Sequence, residues 1–117
     1  MLQQAFLKLI QFISPRIFWE LFSPKFLADS WQHQIFPQHW WLLSVIKTQK
    51  PQSVLEVGCG FGRNLKFLIA QGINPRQLVG VDFSSRLLKL AKTNLPPAVQ
   101  LNHAPAGKLP FSSKKFD

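Results

Sequence analysis

With 117 residues, 46% of them hydrophobic, the chain has the length and apolar content of one packed domain, which excludes a disordered tail. A single cysteine, Cys59, excludes an internal disulfide, and without a secretory segment or an apolar run of about 18 residues the expected setting is soluble and cytoplasmic. A net charge of +9 would suit nucleic acid, yet the 14 basic residues are scattered, with no run longer than Lys114-Lys115, so no nucleic-acid partner is expected.

Residues 1–48 read as an N-terminal extension of three or four short helices. Breaks fall at Ser14-Pro15, Ser23-Pro24 and Phe36-Pro37, where proline suits a first helical turn and serine can cap it. Apolar residues recur at helical spacing in Leu2, Phe6, Leu9, Ile10 and Ile13, and again in Ile17, Phe18, Leu21 and Phe22, so each helix has a stripe to bury. Trp19, Trp31, Trp40 and Trp41 all lie in this extension. Packing against a following sheet is expected of them, with a lid over an apolar pocket or a membrane-facing surface as the alternative.

After Lys50-Pro51-Gln52 the pattern changes to alternating strand and helix. Residues 53–57 are apolar and β-branched enough for a buried strand, and a glycine-rich turn follows at 58–62. Residues 63–71 read as a helix with Leu65, Leu68 and Ile69 on one face, stopped by Gly72. A second strand spans 78–82. Ser84 or Ser85 caps a helix running to about Thr93, whose Leu87, Leu88, Ala91 and Leu95 face the sheet until Pro96-Pro97 stops it. Residues 99–102 form a third short strand, and Phe116-Asp117 looks like the first step of a fourth. This order implies an α/β fold: a Rossmann-like parallel sheet with right-handed crossovers, preceded by N-terminal helices.

Ligands of such sheets bind outside the carboxyl ends of the strands. Strand one ends in Glu56-Val57-Gly58-Cys59-Gly60-Phe61-Gly62, and alternate glycines let a ligand lie against bare backbone. Asp82 ends strand two, 20 residues after Gly62, where a carboxylate can accept both hydroxyls of a ribose. The dinucleotide fingerprint is spaced G-x-G-x-x-G, whereas this turn is G-x-G-x-G with an acid two residues before it. A pyrophosphate is ill matched to Glu56; ammonium and sulfonium charges suit it better. A nicotinamide-dependent oxidoreductase is therefore the less favoured reading.

These residues resemble the class I S-adenosylmethionine-dependent methyltransferases, in particular the small-molecule group typified by ubiquinone and menaquinone biosynthesis enzymes. The resemblance runs from Val54 to Asp117. It rests on the strand and turn from Val54 to Asn64, on Val79-Gly80-Val81-Asp82-Phe83-Ser84 with Leu88, Leu90, Ala91 and Lys92, and on Leu109-Pro110-Phe111 with Phe116-Asp117. It implies S-adenosyl-L-methionine as cofactor and a small-molecule methyl acceptor. Gly58, Cys59, Gly60 and Gly62 would underlie the methionine end, Glu56 would steer its ammonium group, and Asp82 would grip the ribose. Phe83 would flank the adenine, with Ala106 and Leu109 along its edge. The family's sheet has seven strands in the order 3-2-1-4-5-7-6. One departure stands out: the acid that usually receives the adenine amino group falls at Pro105, which has no side-chain acceptor and no backbone N–H. Asn102 or His103 could receive the amino group in its place, although solvated loop positions without a ligand role are expected of them.

In-line methyl transfer needs alignment more than covalent help. His33 and His39 could in principle take a substrate proton, although single helical histidines are more often structural. Cys59 reads as an apolar filler, and no metal site is expected. With three strands and the start of a fourth where the family has seven, a truncated chain is expected, one that leaves an edge of strand one open to self-association or to a complementary C-terminal half. The competing reading is a non-catalytic interaction module whose aromatic, basic N-terminal helices contact a membrane surface or a partner protein.

Overall fold

Aliphatic and β-branched residues set the strands, and the computed structural model describes residues 34–113 together with Ile17, Leu21, Lys115 and Phe116. Strands β1 (Val54–Val57), β2 (Leu78–Asp82) and β3 (Gln100–His103) lie in the order β1-β2-β3. Both pairings are parallel, with Glu56 opposite Gly80 and Gly80 opposite Leu101. Helices α1 (Pro37–Gln49), α2 (Arg63–Ala70) and α3 (Ser85–Asn94) complete the layer, with a short 3₁₀ turn at Pro75–Gln77 leading into β2. Every residue of β2 is buried, as expected for the middle strand of a parallel sheet.

The expected βαβαβ order is present, with boundaries displaced by a residue at β1, α2, β3 and α3. Ser84 Oγ accepts the Leu87 N–H at 3.2 Å and so fixes the start of α3, while Gln71 and Gly72, the latter at φ 95°, end α2. Leu65 and Leu68 of α2 and Leu88 and Ala91 of α3 meet Leu78, Val54 and Leu101 in one core. Burying each of those leucines stabilises the fold by roughly 2 kcal/mol relative to leaving it in water. Gly80 lies inside β2 for a steric reason: a Cβ there would stand 2.8 Å from Cys59 Sγ and 2.9 Å from a Leu101 methyl.

Of the N-terminal extension, α1 is described. Pro37 occupies its first turn and Lys50, at φ 48°, closes it with an N–H donated to the Ile46 carbonyl. Leu43, Ile46 and His39 are the buried residues of α1, and its face packs on Phe67 of α2. Trp40 and Trp41 do not follow the expectation of core packing, being 52% and 69% exposed. The i, i+4, i+7 stripe of His39, Leu43 and Ile46 takes the inward face, which leaves Trp41 outside and lets Trp40 reach Phe67 only edge-on, at 5.1 Å. Ile17 and Leu21, expected in a buried stripe, are helical but exposed, while Trp19, Trp31, His33 and the other residues expected in the earlier helices lie outside the described residues. No helix among the described residues is long and apolar enough to cross a membrane.

β1 has an unpaired edge among the described residues. Phe116 is not in a strand and Asp117 lies outside the described residues; the Lys115 carbonyl accepts a hydrogen bond from Ser53 Oγ at 3.4 Å, so this segment passes the start of β1.

Candidate cofactor site

The turn after β1 is built on left-handed backbone. Gly58, Gly60 and Gly62 have φ values of 77°, 56° and 88°, a region costly for any residue with a Cβ. A Cβ on Gly58 or Gly60 would meet nothing within 4 Å, so bare main chain faces open space there. Gly62 differs. Its Cβ would fall 2.6 Å from a Leu95 methyl, and its small size lets the turn press onto the residue that ends α3.

Main-chain bonds tie this turn to the end of β2. The N–H groups of Gly58 and Cys59 both donate to the Val81 carbonyl, at 2.7 and 3.0 Å. Asp82 is only 5% exposed, and its carboxylate accepts from Gly60 N–H through Oδ2 and from Ser84 N–H through Oδ1, each at 2.8 Å. The acid therefore clamps the glycine turn to the start of α3, a structural duty that sequence spacing did not disclose. Each carboxylate oxygen still has a second acceptor site.

Glu56 stands on the same sheet face as Gly80 and Leu101. Its Oε1 accepts from Asn64 Nδ2, whereas its Oε2 is buried and without a partner among the described residues. Burial pushes the carboxyl up to about 7; the Asn64 hydrogen bond and the Arg63 charge pull it down, and Asp82 adds a smaller push upward. An unsatisfied buried carboxylate is expensive unless a cation neutralises it. Cys59 is buried beside this acid, and its thiol is pushed up to about 12 by burial, with Glu56 and Asp82 adding to the shift. It is therefore held as a thiol, a filler packed against Gly80, and no thiolate nucleophile is available at neutral pH.

The remaining expected site residues are spread more widely. Phe83 is half-buried, and its carbonyl accepts from His103 Nε2 at 2.8 Å. His103 thus pins the loop after β2. Ala106 and Leu109 are exposed on the segment beyond β3, where the Pro105 carbonyl accepts from Lys108 N–H at 3.1 Å in a turn. Asn102 is not a solvated loop residue: it lies within β3, opposite Val81, with Nδ2 buried and unpartnered among the described residues. His39 is 2% exposed, takes the Phe36 N–H on Nδ1 at 3.0 Å and packs edge-on to Phe67 at 5.4 Å. That makes it a helix cap within the core rather than a proton acceptor for a substrate. Asn64 was not foreseen as a site residue. Its one sequence signal is its place in the first turn of the helix after the glycines, on the side from which it can reach back to Glu56. Among the described residues no group of three or more His, Cys, Asp or Glu side chains is placed to hold a metal ion.

The sequence profile of the methyltransferase domain matches residues 54–117, more than half of the chain. The chain belongs to the methyltransferase-domain family. That assignment covers β1, the glycine turn, β2 and β3 and leaves α1 before the matched domain. An uncharacterized protein of Methanocaldococcus jannaschii is 42% identical over 66 residues, which are 55% of this chain and 22% of that protein. Among solved structures, the methyltransferase domain of bacterial CtHen1-C is 26% identical with a TM-score of 0.47, over 57% of this chain and 38% of that one. The O-methyltransferase from Bacillus cereus in complex with SAH is 23% identical with a TM-score of 0.49, over 61% of this chain and 35% of that one. This methyltransferase-domain chain therefore spans less than half the length of each of these relatives.

Proposed function

We propose that the glycine turn, Glu56 and Asp82 cradle S-adenosyl-L-methionine, and that the protein transfers the cofactor's methyl group to a small-molecule acceptor. The observation that carries this reading is the buried Glu56 Oε2, without a partner among the described residues, on the strand that leads into a turn whose Gly58 and Gly60 leave open space. Such a charge need not touch a cation to attract it. At about 6 Å and an effective dielectric near 20, one ion pair is worth about 3 kcal/mol. Membership of the methyltransferase-domain family supports the same reading.

The residues divide the work by chemistry. Gly58 and Gly60 let the ligand lie against backbone, Glu56 attracts the ammonium group of its methionine end, and Asn64 holds the Glu56 carboxylate in orientation. Asp82 offers its two remaining acceptor sites to ribose hydroxyls while fixing the turn, and Phe83 flanks the base. Gly62 and Cys59 set the turn's close packing, and Ala106 and Leu109 border the adenine side. The cofactor, when bound, supplies an activated methyl group on sulfonium sulfur, so the protein's contribution is to position the acceptor and exclude water.

Isothermal titration of the chain with S-adenosylhomocysteine tests this. Binding that is weakened at least about tenfold by Asp82→Ala is expected from the loss of charge-assisted bonds. No binding, or binding indifferent to Asp82→Ala, would overturn the assignment.

A further inference from the structure

The peptide groups on either side of Phe83 are both tied to the end of β3. Ala104 N–H donates to the Asp82 carbonyl at 3.1 Å, which holds the peptide before Phe83. The peptide after it is gripped at both polar atoms: the Phe83 carbonyl accepts from His103 Nε2 at 2.8 Å, and the Ser84 N–H donates to Asp82 Oδ1 at 2.8 Å. A carbonyl can only accept, so Nε2 carries the hydrogen. Because peptide groups are planar, a residue has only φ and ψ as soft backbone freedom. With the plane on each side of it held, Phe83 has both angles set, and with them the direction of its Cα–Cβ bond.

Two of these bonds have a duty elsewhere. The Ala104 bond extends the β2–β3 pairing by one residue, and the Asp82 carboxylate also holds the Gly60 N–H of the glycine turn. The His103 bond differs: it comes from an exposed side chain and reaches across 20 residues of chain to one carbonyl. Water readily replaces an exposed hydrogen bond, so its net effect on the stability of the fold is small. What it fixes is the loop that carries Phe83. We propose, building on the cofactor reading above, that His103 is a positioning residue for the base of the cofactor, presetting Phe83 as the surface on which that base lies. Phe83 directly follows the acid assigned to the ribose, so a nucleoside held at Asp82 brings its base to the loop that His103 grips. Without that grip the loop must be ordered at the moment of binding, and affinity falls for ligands that carry a base.

The test is calorimetric titration of the full chain with S-adenosylhomocysteine, with methylthioadenosine and with S-ribosylhomocysteine, which keeps the ribose and the amino-acid portion but has no base. His103→Ala is expected to weaken the first two by a common factor of about five, the size of one hydrogen bond, and to leave S-ribosylhomocysteine unchanged. His103→Gln, whose amide nitrogen can stand where Nε2 does, should restore most of the lost affinity. A general loosening of the fold would instead weaken all three ligands alike. That result, or full affinity for S-adenosylhomocysteine in His103→Ala, or no recovery in His103→Gln, would overturn the proposal while leaving the cofactor reading in place. If the unaltered chain binds none of the three, the cofactor reading itself falls, and the role of His103 with it.

Discussion

Glu56 carries a linkage between pH and stability that can be read at the scale of one residue. Its carboxyl titrates near 4.5 when the chain is unfolded and at about 7 in the fold, because burial disfavours the charge. Between those values the folded state holds a proton that the unfolded state has released. Stability is therefore greatest below about pH 4.5 as far as this group is concerned, falls as pH rises to about 7, and is level above it. Urea denaturation of Glu56→Gln against the wild type across this window should show the slope in the wild type alone; parallel curves would mean that the carboxyl is not perturbed. Much of this residue's environment was hidden in the sequence. The acid before the glycines is visible, but the Asn64 bond, the cavity that Gly80 leaves for Cys59 and the His103 grip on Phe83 join residues that only the folded chain brings together.

At the scale of elements, the strands and helices from β1 to β3 were legible because each carries its own punctuation. Proline and glycine stop α3 and α2, serine starts α3, and β2 is apolar on both faces. The faces of α1 were not legible. Two adjacent tryptophans look like core residues, but the inward face of α1 is the stripe of His39, Leu43 and Ile46, with the histidine ring on Phe67 of α2, and both tryptophans are left exposed. The turn itself makes a differential prediction. Gly62→Ala forces a methyl against Leu95 and should destabilise the chain by about 2 to 3 kcal/mol, from overpacking added to left-handed strain. Gly60→Ala meets open space and should cost only the backbone strain, about 1 kcal/mol. Chemical denaturation midpoints of the two variants decide this, and equal losses would contradict the packing role of Gly62.

At the scale of the whole molecule, the sheet presents β1 as an open edge among the described residues, with Val57 46% exposed at its end. Unpaired strand edges pair with other chains unless a charge or a bulge blocks them. We propose that β1 recruits a further strand, from a second copy or a complementary segment. Size-exclusion chromatography with light scattering should find concentration-dependent self-association that Val57→Lys reduces; a monomer at all concentrations in both forms would count against it.

The central claim, that the glycine turn and Glu56 receive a cationic nucleoside cofactor, is tested most directly by following ligand affinity against pH. Glu56 is uncharged below about pH 7, so S-adenosylhomocysteine, which bears an ammonium group, should bind about tenfold more tightly at pH 8 than at pH 6. Methylthioadenosine, which lacks the amino-acid portion, should bind equally at both. A flat profile for S-adenosylhomocysteine, or no binding at either pH, would contradict the account.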